Sequence, residues 1–473
     1  MKFRFIALFI LLLGLAACST QDRQSDPTAA PPAASSTVRP SATQPPTATS
    51  VLTATPAPTA SPTILPTLRA PEVSPTVQEA EARSLPVAVE RKMIEIEWEV
   101  EQFRGLDATT GITRTFMTRE ELKEYLVDEF DADYPPEEVA ADVRVLAAFD
   151  FVPPDFDLRQ VLLDLYATQV LGMYDDERDT FFIVGDDDFD LMDRMTFAHE
   201  YVHGLQDQHF QLDTFIDDDT MSDDQVLARM ALVEGDASLA MSEYLMRHIG
   251  VLTDDDLAAL DGEEVAGSDK ALAAAPPIIR ETMLFPYIAG LDFVAAIQAG
   301  GWDAVDAAYL APPASTEQIL HPEKYVAGDE PEAVSLPPLT GTLGAGWSLV
   351  DSDSLGEFQT QLYLAGWVDD DTATTAAAGW DGDRYAVYAQ EDEDVLLFVT
   401  AWDSDEDLQE FVAAYDLYAE GKYRAAATRE TGDALWWEMA SETTVLAWAG
   451  NRAVLVVAPD AETAERVLVE VRS

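Results

Sequence analysis

The stretch Thr196-Phe197-Ala198-His199-Glu200-Tyr201-Val202-His203 decides how the rest of this sequence is interpreted. The pattern His-Glu-x-x-His places two histidines four residues apart, on one face of a helix, so both imidazoles can reach one metal ion. Glu200 can then face a water on that metal and act as its base. The alternative is a helix with two incidental histidines, in a chain that contains 5 histidines.

A third ligand is needed because a catalytic zinc has three protein ligands and one open position. Ser222-Asp223-Asp224-Gln225 predicts a helix start, and the helix it opens contains Glu234 in an apolar, small-residue stretch. A carboxylate there is costly to bury unless it is paired or bound to metal. The glycine and alanines beside it would let the two helices approach closely. We therefore predict Glu234 as the third ligand; the alternative is a glutamate at a solvated helix edge.

The composition excludes one class of partner. The 473 residues include 88 acidic and 28 basic side chains, which gives a net charge of -60 and a pI near 4.1. Such a field argues against nucleic acid as a partner. Calcium sites in the aspartate runs at 186–188 and 217–219 are an alternative use of the acidic residues, although neither run has EF-hand spacing.

The N-terminus predicts export and a lipid anchor. Lys2 and Arg4 precede a short apolar stretch that ends in Leu15-Ala16-Ala17-Cys18. The stretch is too short for a comfortable membrane span and is typical of a signal peptide. Its end resembles a bacterial lipoprotein cleavage box, which implies that Cys18 becomes the lipidated first residue. Cys18 is the only cysteine, so no intramolecular disulfide can form. The alternative is an ordinary signal peptide with an incidental cysteine.

The remaining chain divides by composition into a tether and two domains. Residues 19–81 are rich in Pro, Thr, Ser and Ala and contain 12 of the 27 prolines, so they cannot bury a core and predict a disordered tether. Residues 82–338 predict a mainly helical domain with a small β-sheet. Residues 341–473 predict an α+β accessory domain without histidine or cysteine. The fold class is therefore α+β.

The combination of His-Glu-x-x-His with a glutamate on a second helix resembles the gluzincins, the thermolysin-like branch of the zinc metallopeptidases. The motifs also resemble those of a group of little-studied bacterial lipoproteins. They comprise His-Glu-Tyr-Val-His-Gly-Leu-Gln-Asp-Gln-His-Phe at 199–210, Leu-Val-Glu-Gly-Asp-Ala at 232–237, and the segments 285–290 and 315–325. The resemblance implies a zincin-like catalytic domain with one zinc ion and hydrolysis of peptide bonds.

One departure from the thermolysin pattern concerns the partner of a zinc-bound histidine. This partner is a carboxylate that accepts a hydrogen bond from the ring nitrogen that does not bind zinc. Thermolysin's ligand helix has Asn before the Glu and Asp four residues after it, where this chain has Val233 and Ser238. That carboxylate must come from elsewhere, and metal-bound imidazoles usually have such a partner. Asp207, four residues after His203, and Asp236 are the candidates; a solvated aspartate at the helix end is the alternative for Asp207.

The resemblance also implies a His or Tyr that stabilises the oxyanion from outside the zinc helix. His321, Tyr325 and Tyr287 are the candidates, and His321 is equally compatible with a structural role. His209 and His248 are interpreted as structural.

These observations predict a membrane-anchored, extracytoplasmic zinc metallopeptidase that acts on a peptide or protein substrate. Two alternatives stay open. One is a non-enzymatic envelope lipoprotein with a gluzincin-like binding fold, and the other is a zinc amidase that acts on cell-wall peptides. Glu200 favours an enzyme, because a structural metal site needs no general base.

Overall fold

The computed structural model describes residues 86–169, 172–175, 180–184, 189–216, 220–253, 256 and 270–472. Cys18, the predicted tether and the aspartate runs at 186–188 and 217–219 lie outside these residues. Within the described residues the predicted fold class is confirmed: a mainly helical region with a small sheet precedes an α+β region.

The N-terminal region consists of helices around a short sheet. Its helices in chain order are α1 (Val87–Arg104), α2 (Arg119–Asp133), α3 (Pro136–Ala148), α4 (Leu158–Gln169), α5 (Leu191–Phe210), α6 (Leu212–Phe215), α7 (Asp223–His248), α8 (Pro277–Gln298), α9 (Trp302–Leu310), α10 (Thr316–Leu320) and α11 (Pro322–Ala327).

Side-chain caps fix where the principal helices begin. Helix α5, which carries the motif, starts at Asp190, whose side chain accepts hydrogen bonds from the N–H groups of Met192 and Asp193. The Asp193 side chain accepts from the Asp190 N–H in return, so two orphan donors are satisfied reciprocally. Helix α7 starts at Ser222, whose hydroxyl accepts from Gln225 N–H as the sequence predicts.

The small sheet lies beside α5. Its strands are β1 (Thr113–Met117), β2 (Gly172–Asp175) and β3 (Thr180–Val184), in the order β1-β3-β2. Strand β1 runs parallel to β3, and β2 runs antiparallel to it. The Phe181 ring packs edge-on against Phe197 of α5, with 5.3 Å between centroids. The sheet therefore packs against the face of α5 that carries Phe197.

Two glycines let α7 and α8 cross at close range. A Cβ on Gly235 of α7 would lie less than 3.0 Å from the Gly290 carbonyl of α8. A Cβ on Gly290 would come equally close to the Ala231 carbonyl of α7. The small residues near Glu234 were predicted to allow close contact with the motif helix, but Gly235 lies at the contact with α8.

The C-terminal region is built on a seven-stranded antiparallel sheet of order β4-β5-β6-β10-β9-β8-β7. Its elements in chain order are α12 (Thr340–Leu343), β4 (Ser348–Asp351), α13 (Gly356–Ala365), α14 (Asp370–Ala377), β5 (Trp380–Gln390), β6 (Glu393–Trp402), α15 (Asp405–Tyr423), β7 (Arg429–Thr431), β8 (Ala434–Glu438), β9 (Thr443–Ala449), β10 (Arg452–Ala458) and α16 (Ala461–Val471).

Both faces of this sheet are covered. On β5, Tyr385 and Val387 pack into one core with α15, whereas Ala386 and Tyr388 pack into another with α16. This alternation follows from the two-residue period of a strand. The α+β class that the sequence predicts for this part of the chain is therefore confirmed.

The two regions share a core. Phe149, just after α3, is buried against Tyr385 and Phe398 of the C-terminal sheet, with ring centroids 5.3 and 5.5 Å apart. Next to it, Tyr418 of α15 donates a hydrogen bond to Asp150 at 2.9 Å. The domain boundary between residues 338 and 341 stays a prediction from composition.

Among the described helices, none by itself has the length and apolar content to cross a membrane. One pair of consecutive helices, α8 and α9, meets that criterion only when taken together, and the pair bends by 115°.

Gly290→Ala tests the close crossing of α7 and α8. The new methyl group would overlap the Ala231 carbonyl, so we expect the free energy of unfolding to fall by about 1–3 kcal/mol. Urea unfolding of the purified protein measures this change. Gly250→Ala is the matched control because nothing lies within 4 Å of its Cβ position. An equal effect of both substitutions would contradict the predicted steric cause.

Candidate metal centre

Three side chains meet between α5 and α7. Nε2 of His199 lies 3.1 Å from Oε2 of Glu234 and 3.0 Å from Nε2 of His203. Nε2 of His203 lies 3.5 Å from the same glutamate oxygen. All three side chains are buried, and within the described part of the chain they are the one group of this kind that can hold a metal ion.

The spacing of these three atoms fits a metal ligand set. A tetrahedral ion with ligands at 2.0–2.1 Å places its ligand atoms about 3.3 Å apart. The observed separations of 3.0 to 3.5 Å bracket that value. Two imidazole nitrogens and one carboxylate oxygen also form a donor set that zinc accepts. The residues therefore fit the ion that the sequence analysis predicts.

The helix packing explains why the three atoms converge. His199 and His203 lie one turn apart on α5, so their side chains point the same way. Ala198 and Val202 of α5 share a hydrophobic cluster with Ala237 of α7, and the small side chain of the alanine lets the helices approach. Glu234 lies one turn before Ala237, which brings it opposite the histidines.

The electrostatics of the group favour a charged carboxylate. Burial would raise the pKa of Glu234, yet the two histidines outweigh it and lower the pKa to about 2. Burial also disfavours a charged imidazole and lowers the pKa of His199. For His203 burial acts in the same direction, but the Glu234 carboxylate overcomes it and raises the pKa. An ionised glutamate beside a neutral histidine is the state that binds a metal.

Glu200 lies next to the group and is fully buried. Its Oε2 accepts a hydrogen bond from the backbone N–H of Tyr174 in β2 at 3.0 Å. Its Oε1 is buried and has no hydrogen-bond partner among the described residues. Burial raises the pKa of Glu200 to about 8, and the nearby Glu234 adds to this, whereas His203 opposes it. Tyr174 therefore fixes Oε2 of Glu200, whereas Oε1 has no hydrogen-bond partner among the described residues.

Gln206, which was not predicted from the sequence, is the hydrogen-bond partner of His203. Nδ1 of His203 lies 2.8 Å from Oε1 of Gln206. The amide nitrogen of Gln206 then donates to Oδ2 of Asp236 at 3.0 Å. Asp236 thus reaches the imidazole through Gln206. A glutamine three residues after the second histidine, on the same helix face, is the signal that could have pointed to it.

Asp207, the other candidate partner for an imidazole, contacts different groups. It accepts hydrogen bonds from the Tyr174 hydroxyl at 3.1 Å and from the Leu212 N–H at 3.2 Å. These contacts tie the end of α5 to β2 and to the start of α6. Its proposed role at the metal stays a prediction.

Of the three predicted oxyanion donors, Tyr287 packs against a residue of the metal group. Its ring stacks on His199, with 6.2 Å between centroids and 22° between planes. His321 instead pairs with Glu357 of α13 at 2.9 Å, and the Tyr325 hydroxyl donates to the Ala311 carbonyl at 2.8 Å. The catalytic role of each stays a prediction.

The two remaining histidines make contacts outside the metal group. His209 bonds the Asp107 carbonyl at 2.9 Å. His248 bonds the Tyr244 carbonyl at 2.9 Å and lies 3.4 Å from Glu99. These contacts join the ends of α5 and α7 to α1 and to the residues that follow it.

Comparison with known proteins gives one partial match. A family model described as a domain of unknown function (DUF8575) matches residues 347–468. No curated protein and no solved structure matches the chain. The matched segment covers the seven-stranded sheet, whereas His199, His203 and Glu234 lie outside it.

His321→Gln tests whether His321 stabilises the junction between α10 and α13. The hydrogen bond to Glu357 raises the pKa of His321 above its ordinary value, although burial opposes this. A raised histidine pKa stabilises the fold below the unfolded-state pKa, and this stabilisation is lost as pH rises through the folded-state pKa. We therefore expect the variant to be less stable by up to about 1 kcal/mol at pH 5.5, with the difference shrinking by pH 8.5.

Urea unfolding across this pH range measures the effect, and His209→Gln is the matched control. A difference between native protein and His321→Gln that stays constant or grows as pH rises would contradict the assignment.

Proposed function

We propose that this protein is a zinc metallopeptidase that hydrolyses peptide bonds outside the cytoplasm. The observation that carries the proposal is the convergence of two imidazole nitrogens and one carboxylate oxygen beside Glu200. A site that only holds a metal for stability needs no adjacent base. Here a buried glutamate stands one residue from a ligand, with one oxygen unpaired among the described residues.

The proposed ligands are His199, His203 and Glu234, which leave one position of a tetrahedral ion for water or substrate. A bound zinc ion would polarise the scissile carbonyl and make a water more acidic. The chain's own residues supply the rest of the chemistry, beginning with the base.

In its ionised form, Glu200 is the proposed general base and, later, the general acid. The Tyr174 N–H holds Oε2, so Oε1 is the oxygen assigned to take a proton from the attacking water. The same oxygen then delivers the proton to the leaving amine. The donor that holds the Glu200 carboxylate is a backbone N–H of β2. The position of the carboxylate therefore does not depend on the conformation of a second side chain. Positioned proton transfer of this kind contributes about 10²–10⁴-fold to rate.

Tyr287 is the proposed donor to the developing oxyanion. Its ring stacks against the proposed ligand His199. A tyrosine hydroxyl is a suitable donor where negative charge develops on a carbonyl oxygen.

The substrate class proposed is a peptide or protein. Calcium remains a further proposal, on aspartate runs outside the described residues.

The proposed location is the extracytoplasmic face of a bacterial membrane. The support is the sequence around Cys18, which resembles a lipoprotein cleavage box, and the tether at 19–81. A lipid chain on Cys18 would hold the protein at the membrane, and the tether would carry the folded region away from the surface.

Cys18→Ser tests the anchor. Loss of the thiol removes the acceptor for the lipid, so we expect the protein to move from the membrane fraction to the soluble exported fraction. Immunoblots of separated fractions measure this. Unchanged membrane association would argue against lipidation at Cys18.

Glu200→Gln tests the proposed chemistry. The amide cannot accept the proton, so we expect hydrolysis of casein to slow by about 10²–10⁴-fold. Zinc content should stay near one ion per chain, because the three ligands are intact. Native protein treated with a chelator should lose activity and regain it with zinc. Activity and elemental analysis on the same samples separate loss of the base from loss of the metal.

Glu410→Gln, at an exposed position of α15, is the matched control and should behave as native. Muropeptides serve as the second substrate. Cleavage of muropeptides but not casein would replace the peptidase proposal with a cell-wall amidase. Zinc binding without cleavage of either would favour a binding protein. Full activity of Glu200→Gln would refute the assigned mechanism.

A further inference from the structure

The Gln206 amide connects a ligand histidine to a buried ion pair. Its oxygen faces Nδ1 of His203 at 2.8 Å. Its nitrogen is 3.0 Å from the Val233 carbonyl and 3.0 Å from Oδ2 of Asp236. Gln206, His203 and Asp236 have no exposed surface.

The partners of this amide determine its orientation. A backbone carbonyl and a carboxylate only accept hydrogen bonds, so the side of Gln206 that faces Val233 and Asp236 must be the NH₂ group. The amide oxygen therefore faces His203, and Nδ1 of that imidazole must carry the hydrogen. When the ring is neutral, its lone pair is then on Nε2, the atom that points to His199 and Glu234.

The carboxylate that orients Gln206 is itself held from α1. Arg104 donates to both oxygens of Asp236, at 2.7 and 3.0 Å, and is fully buried. Its other terminal nitrogen lies 2.8 Å from Asp306, and its guanidinium stacks over Trp302 at 4.6 Å. The Tyr309 hydroxyl donates to Oδ2 of Asp236 at 2.9 Å. Asp236 is thus fixed from α1 and α9.

We propose that Gln206 is a positioning residue of the metal centre, which sets the tautomer of His203, and that Arg104 and Asp236 set the orientation of Gln206. This inference rests on the metal site of the proposed function. Arg104 of α1 lies 132 residues before Asp236 in sequence. Through Asp236 and Gln206 it would help to set the tautomer of His203 on α5.

The other ligand histidine lacks this arrangement. Nδ1 of His199 is buried and has no hydrogen-bond partner among the described residues. We therefore expect the hydrogen bond to Gln206 to fix the tautomer of His203 before any metal binds.

Gln206→Glu separates the proposed role from that of a simple acceptor. A carboxylate would accept from His203 at least as well as the amide, but it cannot donate to Val233 or Asp236 and would place two carboxylates side by side. We expect zinc affinity to fall 10–100-fold, the usual cost of losing a partner of a ligand histidine. Gln206→Leu should lose a similar factor. Competition with a chromophoric chelator measures affinity on the full-length protein.

Gln409→Glu, an exposed position on α15, is the matched control and should keep native affinity. Circular dichroism and thermal unfolding of the metal-free variants identify any that fail to fold. Zinc affinity of Gln206→Glu equal to or above that of native protein would overturn the proposal, because the NH₂ contacts would then be dispensable.

A measurement on native protein tests the inference even if the variants do not fold. Long-range ¹H–¹⁵N correlations of ¹⁵N-histidine-labelled, metal-free protein report the tautomer of each of the 5 histidines. We expect His203 to be protonated at Nδ1. In neutral His203, a proton on Nε2 instead of Nδ1 would overturn the proposal. Neither readout uses a substrate, so failure of the peptidase proposal would leave these results unaffected.

Discussion

The burial of the Glu234 carboxylate between His199 and His203 is the constraint on which the rest of this structure depends. A buried charge is tolerated only when it is paired or bound to a metal. The two histidines compensate this charge by donating from Nε2, but a nitrogen that donates has given up the lone pair that a metal needs. A cation between the three atoms satisfies all of them at once. The spacing of 3.0 to 3.5 Å leaves room for such an ion.

A second buried pair fixes the surroundings of that group. Arg104 and Asp236 have no exposed surface, and a buried pair of this kind is strongly destabilising to break because the remaining charge is uncompensated. The pair orients Gln206, and Gln206 orients His203. Helix α8 packs closely against α7 where Gly235 and Gly290 meet. Close packing around α7 therefore surrounds the helix that carries Glu234, the proposed ligand from outside the motif.

A contact in this arrangement can be predicted from the sequence only when its two residues lie close together in the chain or when one of them is unusual in its surroundings. His199, Glu200 and His203 follow from helical spacing alone, and Glu234 follows from a carboxylate in an apolar helix. Gln206 was within reach, since it lies three residues from His203 on the same helix. Arg104 was not, because its partner is 132 residues away and nothing local distinguishes it from an exposed helix-end arginine. The short strands β4 and β7, at the sheet edges, carry too few residues for a clear alternating pattern.

Zinc K-edge X-ray absorption of the purified full-length protein would identify the atoms that bind the metal. We expect nitrogen and oxygen ligands at about 2.0–2.1 Å with outer-shell scattering from two imidazoles and no sulfur. The single cysteine, Cys18, lies far from the motif in sequence, which makes a sulfur signal diagnostic of zinc bound elsewhere. A spectrum without imidazole scattering, or protein that takes up no zinc when zinc is supplied, would contradict the assignment of His199, His203 and Glu234 as a metal site.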